Sequence, residues 1–291
     1  MTALGLLSAG LGVAFVGCSS DDTSGGGGGT DAGKDTSTDA PATGPKQSGT
    51  LLDFPVGTKV KDATITLGSG SGTSGADGKY SIATTKDTPF FMRVTHSQYL
   101  TLIEQEWQLS GDADRGPTQY ISQGVKPTLL ALLESSDTPK VKQDKGILAV
   151  GIVLEGACTE DGGVVIKIDT GAATDAGTDA GDGGGDAGGS DAGSGDTDNI
   201  VRYFTSVTSV APMNQPQQTT KNQNTPAVAI YNVTPGENVQ LSVTPSAASG
   251  CTVVKQYPHA DPKASNIKYT GKIKVEAGTN TFSFARVFLT K

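Results

Sequence analysis

Short runs that alternate apolar and polar residues, divided by Gly, Asp and Pro, dominate the chain from Gly49 onward. This period of two is typical of β-strands, because successive side chains of a strand point to opposite faces. Such runs recur up to the C-terminus, for example DATITL at 62–67 and NTFSFARVFL at 280–289. One stretch differs: VKPTLLALLESS at 125–136 has Pro in its first turn and a broad leucine face, which predicts a helix. The sequence therefore predicts a mainly β fold with one short helix.

Two tracts interrupt this pattern, and their composition is unsuited to forming a packed core. Residues 19–47 are rich in Gly, Ser, Thr and Asp, and residues 169–199 repeat Asp-Ala-Gly four times. The second tract contains no apolar residue larger than Ala, so it cannot bury enough surface to offset its chain entropy. A calcium-binding β-roll would need a large aliphatic residue in each repeat, which these repeats lack. We therefore predict a disordered tether at 18–47 and a disordered insertion at 170–199.

The acidity of the chain belongs to these two tracts. The net charge is −8, but the first tract has five Asp against two Lys and the second has eight Asp and no Lys or Arg, which leaves +3 on the remainder. A surface that binds nucleic acid needs clustered basic residues. The sequence therefore predicts no nucleic-acid partner.

The N-terminus carries a short apolar stretch without any charge. Residues 1–17 are too few to span a bilayer, which takes roughly 20 apolar residues, and they match the apolar core of a secretion signal. The stretch ends in Phe15-Val16-Gly17-Cys18, which resembles the lipobox of bacterial lipoproteins, with Phe in the place of the usual Leu. The resemblance implies a signal peptide at 1–17, cleavage before Cys18 and lipid attachment to that cysteine. A Ser in the next position implies sorting to the outer membrane.

If Cys18 carries lipid, two cysteines remain, Cys158 and Cys251. In an exported, oxidising compartment such a pair is usually bridged, and we predict a disulfide between them. Two reduced, buried cysteines are the alternative. The chain has no Cys-x-x-Cys spacing, so we predict no redox or zinc site, no other metal site and no cofactor.

Three short motifs follow one another at the start of the first β-rich region. Gly49-Thr50-Leu51-Leu52-Asp53 is followed by Asp62-Ala63-Thr64-Ile65-Thr66-Leu67, and then by Thr73, Asp77, Gly78, Tyr80 and Ile82. Together they resemble the carboxypeptidase regulatory-like domain, a small transthyretin-like β-sandwich, over about residues 48–110. The resemblance implies a non-catalytic accessory or binding module. The segment 227–243 looks like the second half of another such sandwich.

We therefore expect two small β-sandwich domains, transthyretin-like or immunoglobulin-like, with one short connecting helix and disordered Gly/Asp-rich tracts. The predicted divisions are a signal peptide at 1–17, a tether at 18–47, a first sandwich at 48–122, a helical connector at 123–143, and a second sandwich at 144–291 that carries the insertion at 170–199.

Few residues are candidates for catalysis. His96 and His259 are the two histidines, in a predicted strand and a predicted turn, and Asp261 lies close to the second. A hydrolytic triad needs three convergent groups, and a turn more often uses Asp for local hydrogen bonds. We therefore predict no catalytic residue.

The run YLTLIEQEWQL at 99–109 holds the other notable side chains. Strict alternation places Glu104 and Glu106 on one face, which we expect to be solvated, and Trp107 on the other. We expect Trp107 to pack in the core, with an exposed platform for a sugar as the alternative.

These observations predict a non-catalytic lipoprotein of the cell envelope, anchored in the outer membrane, that acts as a binding or structural module. Its predicted partners are the membrane, through the N-terminal lipid, and an envelope protein or a polysaccharide. Two alternatives stay open. One is a cryptic envelope hydrolase with a site between the sandwiches, and the other is an accessory subunit of an envelope complex.

Overall fold

The computed structural model describes residues 44–54, 56–134, 139–158, 164–169, 199–206, 209–210, 228–245 and 247–291. The predicted signal peptide, Cys18 and the tether up to residue 43 lie outside the described residues, as do residues 170–198 of the predicted insertion. The described residues belong to one compact unit.

The described part of the chain is mainly β with one α-helix, which confirms the predicted fold class. The first eight strands are Lys46–Phe54 (β1), Thr64–Leu67 (β2), Gly70–Thr73 (β3), Lys79–Ala83 (β4), Met92–Thr95 (β5), Thr101–Glu104 (β6), Trp107–Leu109 (β7) and Ala113–Ile121 (β8). The helix α1, Lys126–Leu133, follows them. The remaining strands are Gly146–Leu154 (β9), Val164–Asp169 (β10), Ile200–Ser206 (β11), Ser209–Val210 (β12), Val228–Val233 (β13), Gln240–Pro245 (β14), Thr252–Val253 (β15), His259–Asp261 (β16), Ala264–Tyr269 (β17) and Thr281–Thr290 (β18), with a 3-10 turn at Ala247–Ser249.

One ten-stranded sheet is built from both halves of the chain. Its order is β12, β11, β13, β9, β18, β6, β5, β2 and β3, and β15 pairs with the end of β18. The last strand, β18, lies between β9 and β6 and runs parallel to both. Strands from both sides of the predicted connector at 123–143 therefore contribute to the same sheet, and the two halves are joined by backbone pairing.

This sheet is buried on both faces. The sequence of β9, GILAVGIVL, is the continuous apolar run expected of a strand that is covered on both sides, and eight of its nine residues are buried. Ile147 and Ala149 belong to a first core, and Leu148 and Val150 to a second core on the opposite face. The sheets β4-β1-β8 and β16-β17-β7 contribute to the first core, and the pair β10-β14 contributes to the second.

Close packing at the start of β9 explains one of its glycines. A Cβ atom on Gly146 would lie 2.2 Å from Cγ1 of Val275 and 2.6 Å from the carbonyl oxygen of Glu276. The neighbouring segment can approach the strand this closely only because residue 146 has no side chain.

The predicted helix at 125–136 is present in a shorter form. Pro127 lies in its first turn, where the missing N–H is not needed, and Leu129 and Leu133 are buried. The hydroxyl of Tyr231 donates to the carbonyl oxygen of Leu133 at 3.2 Å and so connects the end of the helix to β13. In the part of the chain that the structure describes, no helix has the length and apolar character needed to cross a membrane.

The predicted pairing of Cys158 with Cys251 is present as a disulfide. The two Cα atoms are 5.4 Å apart, and both cysteines are buried in the second core. They are separated by 93 residues, so the bridge closes a long loop that includes the predicted insertion.

We expect the loss of this bridge to lower the free energy of unfolding by about 2–4 kcal/mol, because a cross-link over a long loop reduces the entropy of the unfolded chain. The test is urea unfolding of the Cys158→Ser/Cys251→Ser variant, followed by the fluorescence of Trp107, the only tryptophan. Cys18→Ser is the matched control and is expected to unfold at the wild-type urea concentration. An unchanged midpoint in the double variant would contradict the expectation.

Candidate functional site

A group of charged side chains lies inside the fold, where β6, β8 and β18 approach the β16–β17 hairpin. It consists of Glu104, Arg115, Asp261, Tyr269 and Arg286, and we call it the arginine cluster. Two carboxylates balance two guanidinium groups in it. The sequence pattern does not predict this cluster, although Glu104 and Asp261 are candidates there as single residues.

Glu104 and Arg115 form the most buried ion pair of the cluster. Nη1 of Arg115 donates to Oε2 of Glu104, and the side chains are only 2% (Arg115) and 3% (Glu104) exposed. The guanidinium carbon lies 3.9 Å from the centre of the Trp107 ring, in the geometry of a cation–π contact. Burial, together with the nearby Arg286, lowers the pKa of Arg115 to about 10. Arg115 is therefore still charged at neutral pH, although its Nε is buried and has no hydrogen-bond partner in the described part of the chain.

A β-bulge accompanies the inward position of Arg115. β8 pairs with β1 in parallel, and the register shifts so that Ser48 faces Asp114 while Thr50 faces Pro117. β8 therefore holds one extra residue here, and Gly116 adopts a φ of +69° that favours glycine. Bulges of this kind redirect side chains, so the Arg-Gly-Pro sequence is a local cause of the orientation of Arg115.

Arg286, Asp261 and Tyr269 form the second part of the cluster. Nη1 of Arg286 donates to Oδ2 of Asp261 at 3.3 Å and to the hydroxyl of Tyr269. That hydroxyl in turn donates to the same carboxylate oxygen at 3.0 Å. Arg286 is the charged member of a row of alternating β18 residues whose other members are Phe282, Phe284 and Phe288. A single arginine in an aromatic row is the sequence signal that would have pointed to this site.

The predictions for 99–109 were partly wrong. Trp107 is fully buried in the first core, as expected, so it is not an exposed platform. Glu104 and Glu106, expected on a solvated face, are only 2% and 8% exposed. The strand ends at Glu104 and a new strand begins at Trp107 in a different sheet, and the face that Glu104 shares with Leu102 is covered. Oε2 of Glu106 accepts a hydrogen bond from the hydroxyl of Thr270 at 2.6 Å.

The two histidines lie in different surroundings. Nε2 of His259 is 2.9 Å from Oε1 of Glu155, and its ring packs against Phe288, whereas Asp261 belongs to the arginine cluster. Nδ1 of His96 accepts the backbone N–H of Gln98 at 3.1 Å. Among the residues that the structure describes, no three His, Cys, Asp or Glu side chains are placed to hold a metal ion.

Three cavities open beside the arginine cluster, and Arg286 contributes to all of them. The first, which we call the apolar cavity, has a volume of about 80 Å³ and lies between β8, α1 and the β6–β18 part of the large sheet. Glu104 and Arg286 are its charged members. Its other lining residues are mainly apolar: Phe54, Leu102, Pro117, Thr118, Gln119, Ile121, Leu129, Phe282 and Phe284.

The second cavity, which we call the polar groove, has a volume of about 480 Å³ and lies against β14 and the segment after β15. Its lining residues include Gln105, Gln240, Ser242, Lys255, Tyr257 and Arg286. The third, of about 320 Å³, lies between β8 and the β16–β17 turn and includes Arg115, Asp261, Lys263 and Arg286 among its lining residues.

The fold and the site define a mainly β protein with a buried charge cluster beside open cavities. No protein-family model matches the chain, and no curated protein matches it. Among solved structures, the chain is similar to a type II cohesin–X-dockerin complex from Acetivibrio cellulolyticus, with 14% identity and a TM-score of 0.23 over 34% of this chain and 81% of that chain. It is also similar to the Bacillus anthracis TIE protein, with 11% identity and a TM-score of 0.20 over 84% of this chain and 34% of that chain. Similarities at this level define neither a family nor a function for the chain.

The buried ion pair of Glu104 and Arg115 can be tested for its contribution to the stability of the protein. Glu104→Leu or Arg115→Met alone is expected to lower the free energy of unfolding by about 3–5 kcal/mol, because each change leaves one charge buried without its partner. The double variant is expected to be more stable than either single variant, since no unpaired charge remains. Urea unfolding of the four proteins measures this coupling.

The exposed pair of Lys61 and Asp62, whose side chains are 71% and 75% exposed, provides the control. Lys61→Met is expected to change stability by less than about 0.5 kcal/mol. If the costs of the two single core variants simply add in the double variant, the pair does not act as a unit.

Proposed function

We propose that the chain is a non-catalytic binding module of the cell envelope, held at the outer membrane by lipid on Cys18. The lipobox-like Phe15-Val16-Gly17-Cys18 and the Gly- and Asp-rich tract after it support the anchoring part of the proposal. The sequence resemblance to carboxypeptidase regulatory-like domains supports a binding role, because that family consists of accessory modules. An envelope protein and a polysaccharide are the partners that the sequence favours.

The observation that carries the binding part is the apolar cavity with Glu104 and Arg286 in its wall. Binding sites for small molecules are typically apolar concave surfaces with a few fixed polar groups. The aromatic rings of Phe54, Phe282 and Phe284 offer apolar contact, and the two charged residues offer one hydrogen-bond acceptor and one donor.

The charge balance of the cluster favours a ligand without net charge. Glu104 is paired with Arg115, and Asp261 with Arg286, so an added ion would meet no uncompensated opposite charge. Desolvating such an ion would be costly, whereas an uncharged polar group loses less on burial. The cavity therefore suits a molecule, or a side chain of a partner, with an apolar body and an uncharged polar group.

The pairing of these groups also favours binding over chemistry. A general acid or base needs an ionisable group within reach of a substrate proton. In the cluster, Glu104 and Asp261 each accept a hydrogen bond from an arginine, so both carboxylates are already engaged within the protein. Such carboxylates are better placed to position a ligand than to reach a substrate proton.

The apolar cavity is tested with phenol, a single uncharged ring with one hydroxyl group, because a cavity of about 80 Å³ has room for one ring at most. Leu129→Trp adds volume to the wall of the cavity and is expected to weaken binding of this probe at least about tenfold, because it removes the space for the ring. The dissociation constant from isothermal titration calorimetry is the readout.

Thr128→Trp is the matched control, since Thr128 is the exposed neighbour of Leu129 on the same helix. It is expected to bind the probe as the wild type does. Equal affinity in wild type and Leu129→Trp, with both proteins folded by circular dichroism, would show that the cavity does not take the probe.

The anchor is tested by growth with radioactive palmitate. The wild-type chain is expected to become labelled and to fractionate with the outer membrane, whereas Cys18→Ala is expected to remain unlabelled, because a lipoprotein is acylated on that cysteine. Cys158→Ala, which leaves Cys18 in place, controls for the loss of a cysteine. Equal labelling of the wild type and Cys18→Ala would contradict lipidation at Cys18.

A further inference from the structure

The polar groove is a second concave surface, distinct in composition from the apolar cavity. Gln240 and Ser242 of β14 and Lys255 after β15 are exposed along it. Tyr257 and Gln105 complete its polar lining, and residues such as Val254 and Ile273 supply apolar wall. The groove thus combines an aromatic ring with several groups that donate and accept hydrogen bonds.

The ring of Tyr257 is held with one face against the backbone. A Cβ atom built on Gly271 would lie 3.1 Å from Cγ, 3.1 Å from Cδ2 and 3.2 Å from Cε2 of this ring. Three consecutive ring atoms are equidistant only from a point above the ring, so Gly271 covers a face and not the edge. Gly271 also has a φ of +87°, which disfavours any side chain there. Tyr257 is nevertheless 37% exposed, so a part of the residue that Gly271 does not cover is open to a ligand.

Gln105 provides an unused donor at the same groove. The side chain is 4% exposed, and its Oε1 accepts the backbone N–H of Arg286 at 2.6 Å. Because an N–H can only donate, the amide oxygen of Gln105 must face Arg286. The amide nitrogen, Nε2, is therefore the atom that is left to donate a hydrogen bond elsewhere. Among the residues that the structure describes, Nε2 has no hydrogen-bond partner. Buried donors are nearly always satisfied, so this one points to an acceptor that arrives with a ligand.

We propose that the polar groove binds an uncharged saccharide, because Arg286 in its wall is already paired with Asp261 and Lys255 lies at the exposed rim, where water solvates its charge. A sugar ring has an apolar face of C–H groups that suits the exposed part of Tyr257, and hydroxyl groups that both donate and accept. Gln240, Ser242 and Lys255 contact these hydroxyl groups at the rim, and a small shift of the Gln105 side chain on binding brings its buried Nε2 to one of the hydroxyl oxygens. Apart from Arg286, which lines both, the polar groove and the apolar cavity are built from different residues, and the variants that test one site lie outside the other.

The test is native affinity electrophoresis of the full chain in gels that contain one soluble polysaccharide. Dextran and a soluble β-glucan are the uncharged probes, and alginate is the anionic one. We expect an uncharged glucan to retard the wild-type chain relative to a gel without polysaccharide. Tyr257→Ala is expected to weaken binding at least tenfold, and Tyr257→Phe, which keeps the ring, is expected to stay within about threefold of the wild type.

Gln105→Glu tests the buried donor, because it keeps an acceptor for the N–H of Arg286 and removes the donor at Nε2. It is expected to weaken binding at least tenfold. Val56→Ala alters the other large apolar side chain that is exposed in the described residues, and it is expected to leave binding unchanged.

Three outcomes would each overturn the proposal. The wild-type chain is retarded by neither glucan, it is retarded by alginate alone, or Tyr257→Ala is retarded as strongly as the wild type. Binding of phenol by Tyr257→Ala is expected to equal that of the wild type. A failure of the saccharide proposal is thereby distinguished from a failure of the apolar cavity.

Discussion

The pairing of β18 with β9 and β6 is the interaction on which the rest of the structure depends. It brings the end of the chain into the middle of the ten-stranded sheet and joins strands from both halves. Both cores rely on it, since Phe282 and Phe288 pack into the first and Ala285 and Val287 into the second. Because parallel pairs join residues that are far apart in sequence, the sheet is complete only after long loops have closed.

The same strand fixes the arginine cluster. Arg286 belongs to the aromatic row of β18. The register between β18 and β9 fixes its position along the sheet and the face to which its side chain points. Its backbone N–H donates to Oε1 of Gln105 at 2.6 Å. Asp261 and Tyr269 then satisfy its guanidinium from the facing hairpin. Buried ion pairs give little net stability compared with apolar residues of the same volume. The cavities that Arg286 lines therefore explain the cluster better than the stability of the fold does.

The sequence pattern predicts well those features that depend on residues close along the chain, such as strands and the helix. It predicts poorly the contacts between residues that are far apart in sequence. Alternation correctly placed Glu104 on the face of Leu102, but it contains no information on whether another sheet covers that face. Arg115 is the partner that neutralises the buried carboxylate of Glu104, and it lies in β8. The Gly-Pro pair in the sequence of β8 is not typical of a strand, so the alternation pattern does not identify this partner. The pairing of Cys158 with Cys251 was predictable because it needed only the number of cysteines and the expectation of an oxidising compartment, not the geometry of the fold. The polar groove depends on Gly271 and Tyr257 meeting in space, which no local pattern indicates.

The disulfide is part of the construction of the groove as well as of the second core. Glu155, just before Cys158, donates its N–H to the carbonyl oxygen of Leu289 at 2.8 Å, and Thr252, just after Cys251, pairs with Thr290. The bridge therefore connects the two segments that flank the end of β18. The wall of the groove starts at Val253, the second of the two residues of β15, and reaches Tyr257. The backbone N–H of Val254 donates to the carbonyl oxygen of Phe288 at 2.9 Å. The position of the wall further depends on the bridge before it and on the packing of Tyr257 against Gly271 at its end. Both constraints are in place before a ligand arrives, which lowers the ordering cost of binding at the groove.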